Sequence, residues 1–204
     1  MAEYLVSLIQ KIVKVFVRFL LKKNTQLNTG VELKQQKSWK MELGEKINMH
    51  ISQEGLSLIK KFEGCPTENG LAVSYKCAAG VWTIGYGSTK YQGKPVEDNV
   101  VISMTEAEEL LLHEMEEYEG YINDLVKVPL HQYQFDSLVA WIFNLGPTNF
   151  NSSSLKKVLN TGAYEDVPFQ MRRWNKANGQ VLEGLTRRRL AESLLFEGND
   201  WEHV

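Results

Sequence analysis

The chain has 204 residues, 43% of them hydrophobic and 24% charged, with a formal net charge of −2. That composition excludes a collagenous, low-complexity or membrane-embedded chain and leaves more than one domain of about 150 residues can absorb. Residues 1–48 carry nine Lys and Arg against four Asp and Glu, a net of +5, and residues 49–204 carry fourteen against twenty-one, a net of −7. The near-neutral average therefore divides into a basic arm and an acidic body, and an acidic body lacks the Lys/Arg surplus with which proteins neutralise nucleic-acid phosphates.

Residues 4–21, YLVSLIQKIVKVFVRFLL, contain no Gly or Pro. Ser7, Lys11, Lys14, Arg18 and Lys22 recur at steps of three and four, on one face of an expected helix, with Leu5, Leu8, Ile9, Ile12, Val13, Phe16, Phe19 and Leu20 opposite. Three cations within the run favour lying flat at an anionic membrane or lipopolysaccharide surface over spanning a bilayer, and packing on protein is the equal alternative. The early Glu3 and the interrupting cations do not make a secretory signal. The expected organisation is an amphipathic basic helix over residues 1–23, a polar linker over 24–48 and a catalytic domain over 49–204.

From Met49 onward the pattern is regular. Ser52 caps an expected helix ending at Glu63-Gly64, and residues 73–75 and 81–86 read as a small β-hairpin. Thr105-Glu106-Ala107-Glu108 reads as a capping box for a helix to about Val126. Helices are expected over residues 132–144, 154–160, about 166–174 and about 185–196. One small hairpin among many helices predicts an α+β, mostly helical fold.

Cys65 and Cys77 are the only cysteines, too few for a disulfide scaffold, and His113 and His131 lack a second ligand at metal spacing. A carboxylate at the end of an apolar helix, followed by a hairpin bearing a Cys and a Thr, is an acid/base candidate, although a Glu at a helix terminus is usually just solvated.

Glu63-Gly64, then YKCAAGVWTIGYG, QFDSLVAWIFNLG, SSLKKVLNTGAY and RRWNKANGQVLEGLTRRRLAESLLF, in that order over residues 51–198, resemble the phage-type lysozymes, the endolysin muramidases of glycoside hydrolase family 24. The resemblance implies a lysozyme-like fold, bacterial peptidoglycan as substrate, hydrolysis of the β-1,4 bond between N-acetylmuramic acid and N-acetylglucosamine, no cofactor or metal, and a monomer. It also implies that the enzyme waits in the host cytoplasm until a holin opens the inner membrane.

The family's catalytic triad, Glu then Asp or Cys then Thr, falls on Glu63, Cys77 and Thr83. Cys77 and Thr83 keep the family's five intervening residues, but thirteen rather than eight separate Glu63 from Cys77. A five-residue insertion within CPTENGLAVSY is therefore expected to bulge outward as an exposed turn. Cleaving a glycosidic bond needs a protonated carboxyl at the leaving oxygen, a role for Glu63 beside Phe62, and a water held on the opposite face of the sugar, a role for the Thr83 hydroxyl. Cys77 reads either as a partner in holding that water or as a small buried filler, and a Cys65–Cys77 disulfide under oxidation is a further alternative.

Trp82 and Tyr86 could line a sugar cleft, with Asn144, Trp174 and Asn175 near it, and core or turn roles stand beside each. The resemblance implies that Arg187 or Arg188 pairs with Glu63. Ser88 replaces the His common after GYG in the family. Two rivals remain: a lytic transglycosylase using the same Glu63 to give 1,6-anhydro ends, and a membrane-permeabilising protein acting through the basic helix.

Overall fold

The computed structural model describes residues 48–204; the expected amphipathic helix, and the linker up to Ile47, lie outside the described residues. The described chain begins as a strap tied down by buried carboxylates and amides. Asn123 brackets Met49, accepting from its backbone N–H at 2.9 Å and donating to its carbonyl at 2.9 Å. Glu119 accepts from the Ile51 N–H at 2.8 Å and lies 2.7 Å from His50 Nδ1. Asp136 accepts from both the Ser52 N–H and hydroxyl.

That strap launches α1, Gln53–Glu63, whose N-cap is Ser52 as its position predicts. Gly55 lets α1 approach its neighbour: a Cβ there would lie 2.7 Å from Ile51 Cγ1 and 2.8 Å from Asp136 Cβ. Gly64, at φ +68°, ends the helix immediately after Glu63, a backbone conformation that L side chains avoid. Glu63 thus sits on the last turn of a rigid element, at the start of the β region.

The β region between Glu63 and the next long helix differs from the single expected hairpin, comprising one three-stranded and two two-stranded sheets. Strands β1 (Thr67–Glu68), β2 (Leu71–Val73) and β7 (Val101–Ile102) form the larger, in the order β1-β2-β7. The inserted segment does turn at the exposed Asn69-Gly70, both at positive φ, and beyond that expectation it forms a hairpin that pairs with β7 through Ala72↔Ile102. Strands β3 (Tyr75–Lys76) and β4 (Trp82–Thr83) pair antiparallel, Tyr75 opposite Thr83. Strands β5 (Lys90–Tyr91) and β6 (Lys94–Pro95) make the third sheet.

Helix α2, Met104–Leu125, starts at a capping box built by Ser103 and Glu106, two residues before the expected Thr105–Glu108 pair. Both pairs satisfy the spacing rule; Ser103 is the one with extended backbone directly after β7. Helix α3, Gln132–Leu145, buries every residue from Gln134 to Ile142 and is the hub of the core, with Trp141, Phe135 and Leu138 fully enclosed. Short helices α4 (Pro147–Ser152), which the sequence reading lacked, and α5 (Ser154–Asn160) follow. A 3₁₀ turn, Tyr164–Asp166, then leads to α6, Val167–Arg172. Hairpin strands β8 (Lys176–Ala177) and β9 (Gln180–Val181) precede α7, Glu183–Phe196. The α+β expectation holds, and no described helix is long and apolar enough to cross a membrane.

Candidate active site

Glu63 lines a cleft of about 700 Å³ together with Tyr86, Gly87, Glu114, Phe143 and Asn144. Its carboxylate is 23% exposed, and Oε1 accepts a 2.6 Å hydrogen bond from Arg188 Nη1 on α7. The choice between Arg187 and Arg188 is thereby resolved. The Arg187 guanidinium points elsewhere and donates to the Val204 carbonyl. Consecutive helix positions differ by about 100°, so only one can face the carboxylate. The same Arg188 guanidinium lies 5.9 Å from the ring centroid of Phe62, the neighbour of Glu63.

Cys77 and Thr83 come together at the β3–β4 hairpin. Backbone N–H groups of Val81 and Ala79 point at the Cys77 sulfur, the Thr83 hydroxyl is a further partner, and these donors hold the thiol below the usual range against the opposing effect of burial. Thr83 is only 2% exposed, and its hydroxyl also donates to the Val81 carbonyl at 3.1 Å. The Thr83 hydroxyl has one proton for these two neighbours, the Val81 carbonyl and the Cys77 sulfur. Cys65 and Cys77 are both free thiols, and burial pushes Cys65 up.

Tyr75, which the sequence reading passed over, joins these groups. Burial raises its phenol first, and the charges of Glu63, Cys65 and Cys77 raise it further, so all three lie within electrostatic reach of one hydroxyl. Glu114 is a second group that the sequence reading passed over: burial raises it and a hydrogen bond from Ser88 lowers it. Ser88, which follows the Gly85-Tyr86-Gly87 turn, thus reaches Glu114 of α2 through its hydroxyl.

The remaining candidates divide. Tyr86 and Asn144 line the cleft, Tyr86 being 7% exposed and Asn144 Oδ1 accepting from Arg189 Nη2 at 3.0 Å. Trp82, opposite Lys76 in the hairpin, is half-buried, with the Lys76 ammonium 5.2 Å from its ring centroid. Trp174 packs edge-on against Trp141, with centroids 5.2 Å apart, as part of the core edge. Asn175 bonds to the Thr186 hydroxyl at 3.2 Å and accepts from the Leu182 N–H, pinning the β8–β9 hairpin to α7. Neither Trp174 nor Asn175 lines the cleft that holds Glu63. No cluster of three metal-ligating side chains occurs among the described residues.

Residues 60–192 match the family model described as phage lysozyme. The endolysin of Acyrthosiphon pisum secondary endosymbiont phage 1 is 40% identical over 153 residues, covering 73% of this chain and 99% of the relative. This chain belongs to the phage lysozyme family. Its similarity to the endolysin of Bacillus phage B103 is 39% over 156 residues, 76% of this chain but only 57% of that longer relative. Among solved structures, an endolysin from Escherichia coli O157:H7 phage FAHEc1 superposes with a TM-score of 0.67 at 34% identity, covering 74% of this chain and 95% of that one. This likeness makes the lysozyme fold of the described residues explicit.

Proposed function

We infer that this protein is an endolysin, a muramidase that hydrolyses the β-1,4 bond between N-acetylmuramic acid and N-acetylglucosamine in bacterial peptidoglycan and so lyses the host cell. The observation that carries the reading is a carboxyl group fixed at a helix end in an open cleft, on a chain of the phage lysozyme family.

Glu63 is the general acid of this reading. Giving its proton to the leaving oxygen creates a carboxylate, and Arg188 at 2.6 Å stabilises that charge as it forms. Cys77 and Thr83 hold the attacking water on the opposite face of the sugar. The donors around the Cys77 sulfur favour its proton-accepting form, and the hairpin fixes both groups in register. Tyr86 and Asn144 contact the glycan along the cleft.

The basic arm adds attraction to an anionic lipid or lipopolysaccharide surface, and release from the host cytoplasm follows opening of the inner membrane. The test is muropeptide mass spectrometry of digested peptidoglycan. Reducing-end muramic acid is expected, and 1,6-anhydro ends would identify a transglycosylase. Lysis by a Glu63→Gln protein that leaves the glycan intact would instead put the activity in the arm.

A further inference from the structure

Behind the cleft, α7 places three charged side chains almost wholly out of solvent. Arg189 and Glu192 side chains are both 0% exposed and that of Arg188 is 5% exposed. Isolated buried charges cost several kcal/mol each, so such a cluster persists only when its members compensate one another. Here one oxygen does most of the joining: Glu192 Oε1 accepts from Arg188 Nε at 3.2 Å and from Arg189 Nη2 at 2.6 Å. Burial raises Glu192 and the two guanidiniums oppose that rise. Two cations share one buried anion, and the second anion in contact with the cluster is Glu63, reached by the other edge of the Arg188 fork.

We propose that Glu192 is a positioning residue for catalysis, anchoring the Arg188 guanidinium so that its Nη1 edge stays aimed at Glu63. The inference rests on the reading of Glu63 as the acid.

Arg188 has one face on the Phe62 ring, Nε on Glu192 and Nη1 on Glu63. Removing the Nε contact leaves the guanidinium free to turn about its long stem, and the charge that must meet the new carboxylate is no longer fixed. Arg189 holds Glu192 from the opposite side, while its Nη2 also reaches Asn144 in the cleft. Glu192 Oε2 has no hydrogen-bond partner among the described residues. A glutamine can therefore place its carbonyl at Oε1 and its amide at Oε2, keeping both bonds to arginine.

The test uses the full chain and a soluble uncrosslinked glycan strand, with folding followed by circular dichroism. Glu192→Met is expected to lower kcat by about tenfold to 100-fold with KM within about twofold, and Glu192→Gln to restore kcat to within about threefold of wild type. Arg188→Met is expected to be equally slow, and adding Glu192→Met to it to change kcat no further, because the two act as one unit. Arg188→Lys, which keeps the charge but loses the fork, is expected to fall with them even if Glu192→Met fails to fold.

Multiplying kcat losses in the double variant, or wild-type kcat in Arg188→Lys, would overturn the proposal. A Glu63→Gln protein that still cleaves would overturn the underlying reading instead.

Discussion

Arg188 Nη1 lies 2.6 Å from Glu63 Oε1, joining the last turn of α1 to the middle of α7 across 125 residues of sequence. This contact ties the fold to the chemistry, because neither helix alone defines where the carboxyl sits. Arg187, one position earlier, donates to the Val204 carbonyl instead. Arg187→Met is therefore expected to keep kcat/KM on purified peptidoglycan within about twofold, and Arg188→Met to lose about tenfold or more. Equal losses would place the functional arginine wrongly.

The two thiols should be chemically distinct. Backbone N–H donors hold Cys77 below the usual thiol range, whereas burial holds Cys65 above it. Thiolates are the reactive form, so iodoacetamide labelling read by peptide mass spectrometry should reach half its limiting rate at lower pH for Cys77 than for Cys65. The order should survive Cys65→Ser, and Thr83→Val should move the Cys77 midpoint upward by removing a donor.

Asp136 makes stability depend on pH in an identifiable direction. Burial lifts its carboxyl above the ordinary range despite hydrogen bonds from Ser52 and Gln132. The folded protein thus holds this proton more tightly than the unfolded chain does. Its contribution is fully present below an unfolded value of about 4 and is lost as pH rises through the raised folded value. In urea unfolding, the stability of wild type minus that of Asp136→Asn should fall as pH rises from about 3 to 7. A difference that grows over that window would contradict the assignment.

Gly55 offers a packing test whose sign runs against helix propensity. Alanine is the better helix former by about 1 kcal/mol. Its Cβ, however, would meet Asp136 Cβ at 2.8 Å, an atom next to the backbone of α3 that cannot swing away. Gly55→Ala is expected to destabilise by about 1–3 kcal/mol in chemical denaturation, and net stabilisation would show that α1 and α3 can separate at no cost.

The sequence made the long helices and the position of Glu63 at a helix end legible for a physical reason. An apolar stripe and a cap are local signals: the Ser52 hydroxyl caps the start of α1, and Gly64, with no Cβ, takes the positive φ that ends it. The β region was less legible because most of its strands are two residues long, shorter than any alternating pattern can register. Pairing of the inserted hairpin with Val101–Ile102 is a non-local event that no window around it reveals. The choice between Arg187 and Arg188 needed the helix rotation, which one residue of boundary error would have reversed. Glu192 was detectable in principle, since it stands three and four positions after Arg189 and Arg188 on one helix. Its burial was not.

The central claim is that Glu63 donates the proton that breaks the glycan. The most direct measurement is the kcat of a Glu63→Gln protein on purified peptidoglycan, read by muropeptide release, with circular dichroism to establish folding. Gln keeps the side-chain shape and can still accept from Arg188, but it cannot serve as an acid. The expected result is a folded protein with release reduced by at least about 100-fold, the lower bound set by loss of general acid catalysis. A folded Glu63→Gln protein that releases muropeptides at a rate within about tenfold of wild type would contradict the account.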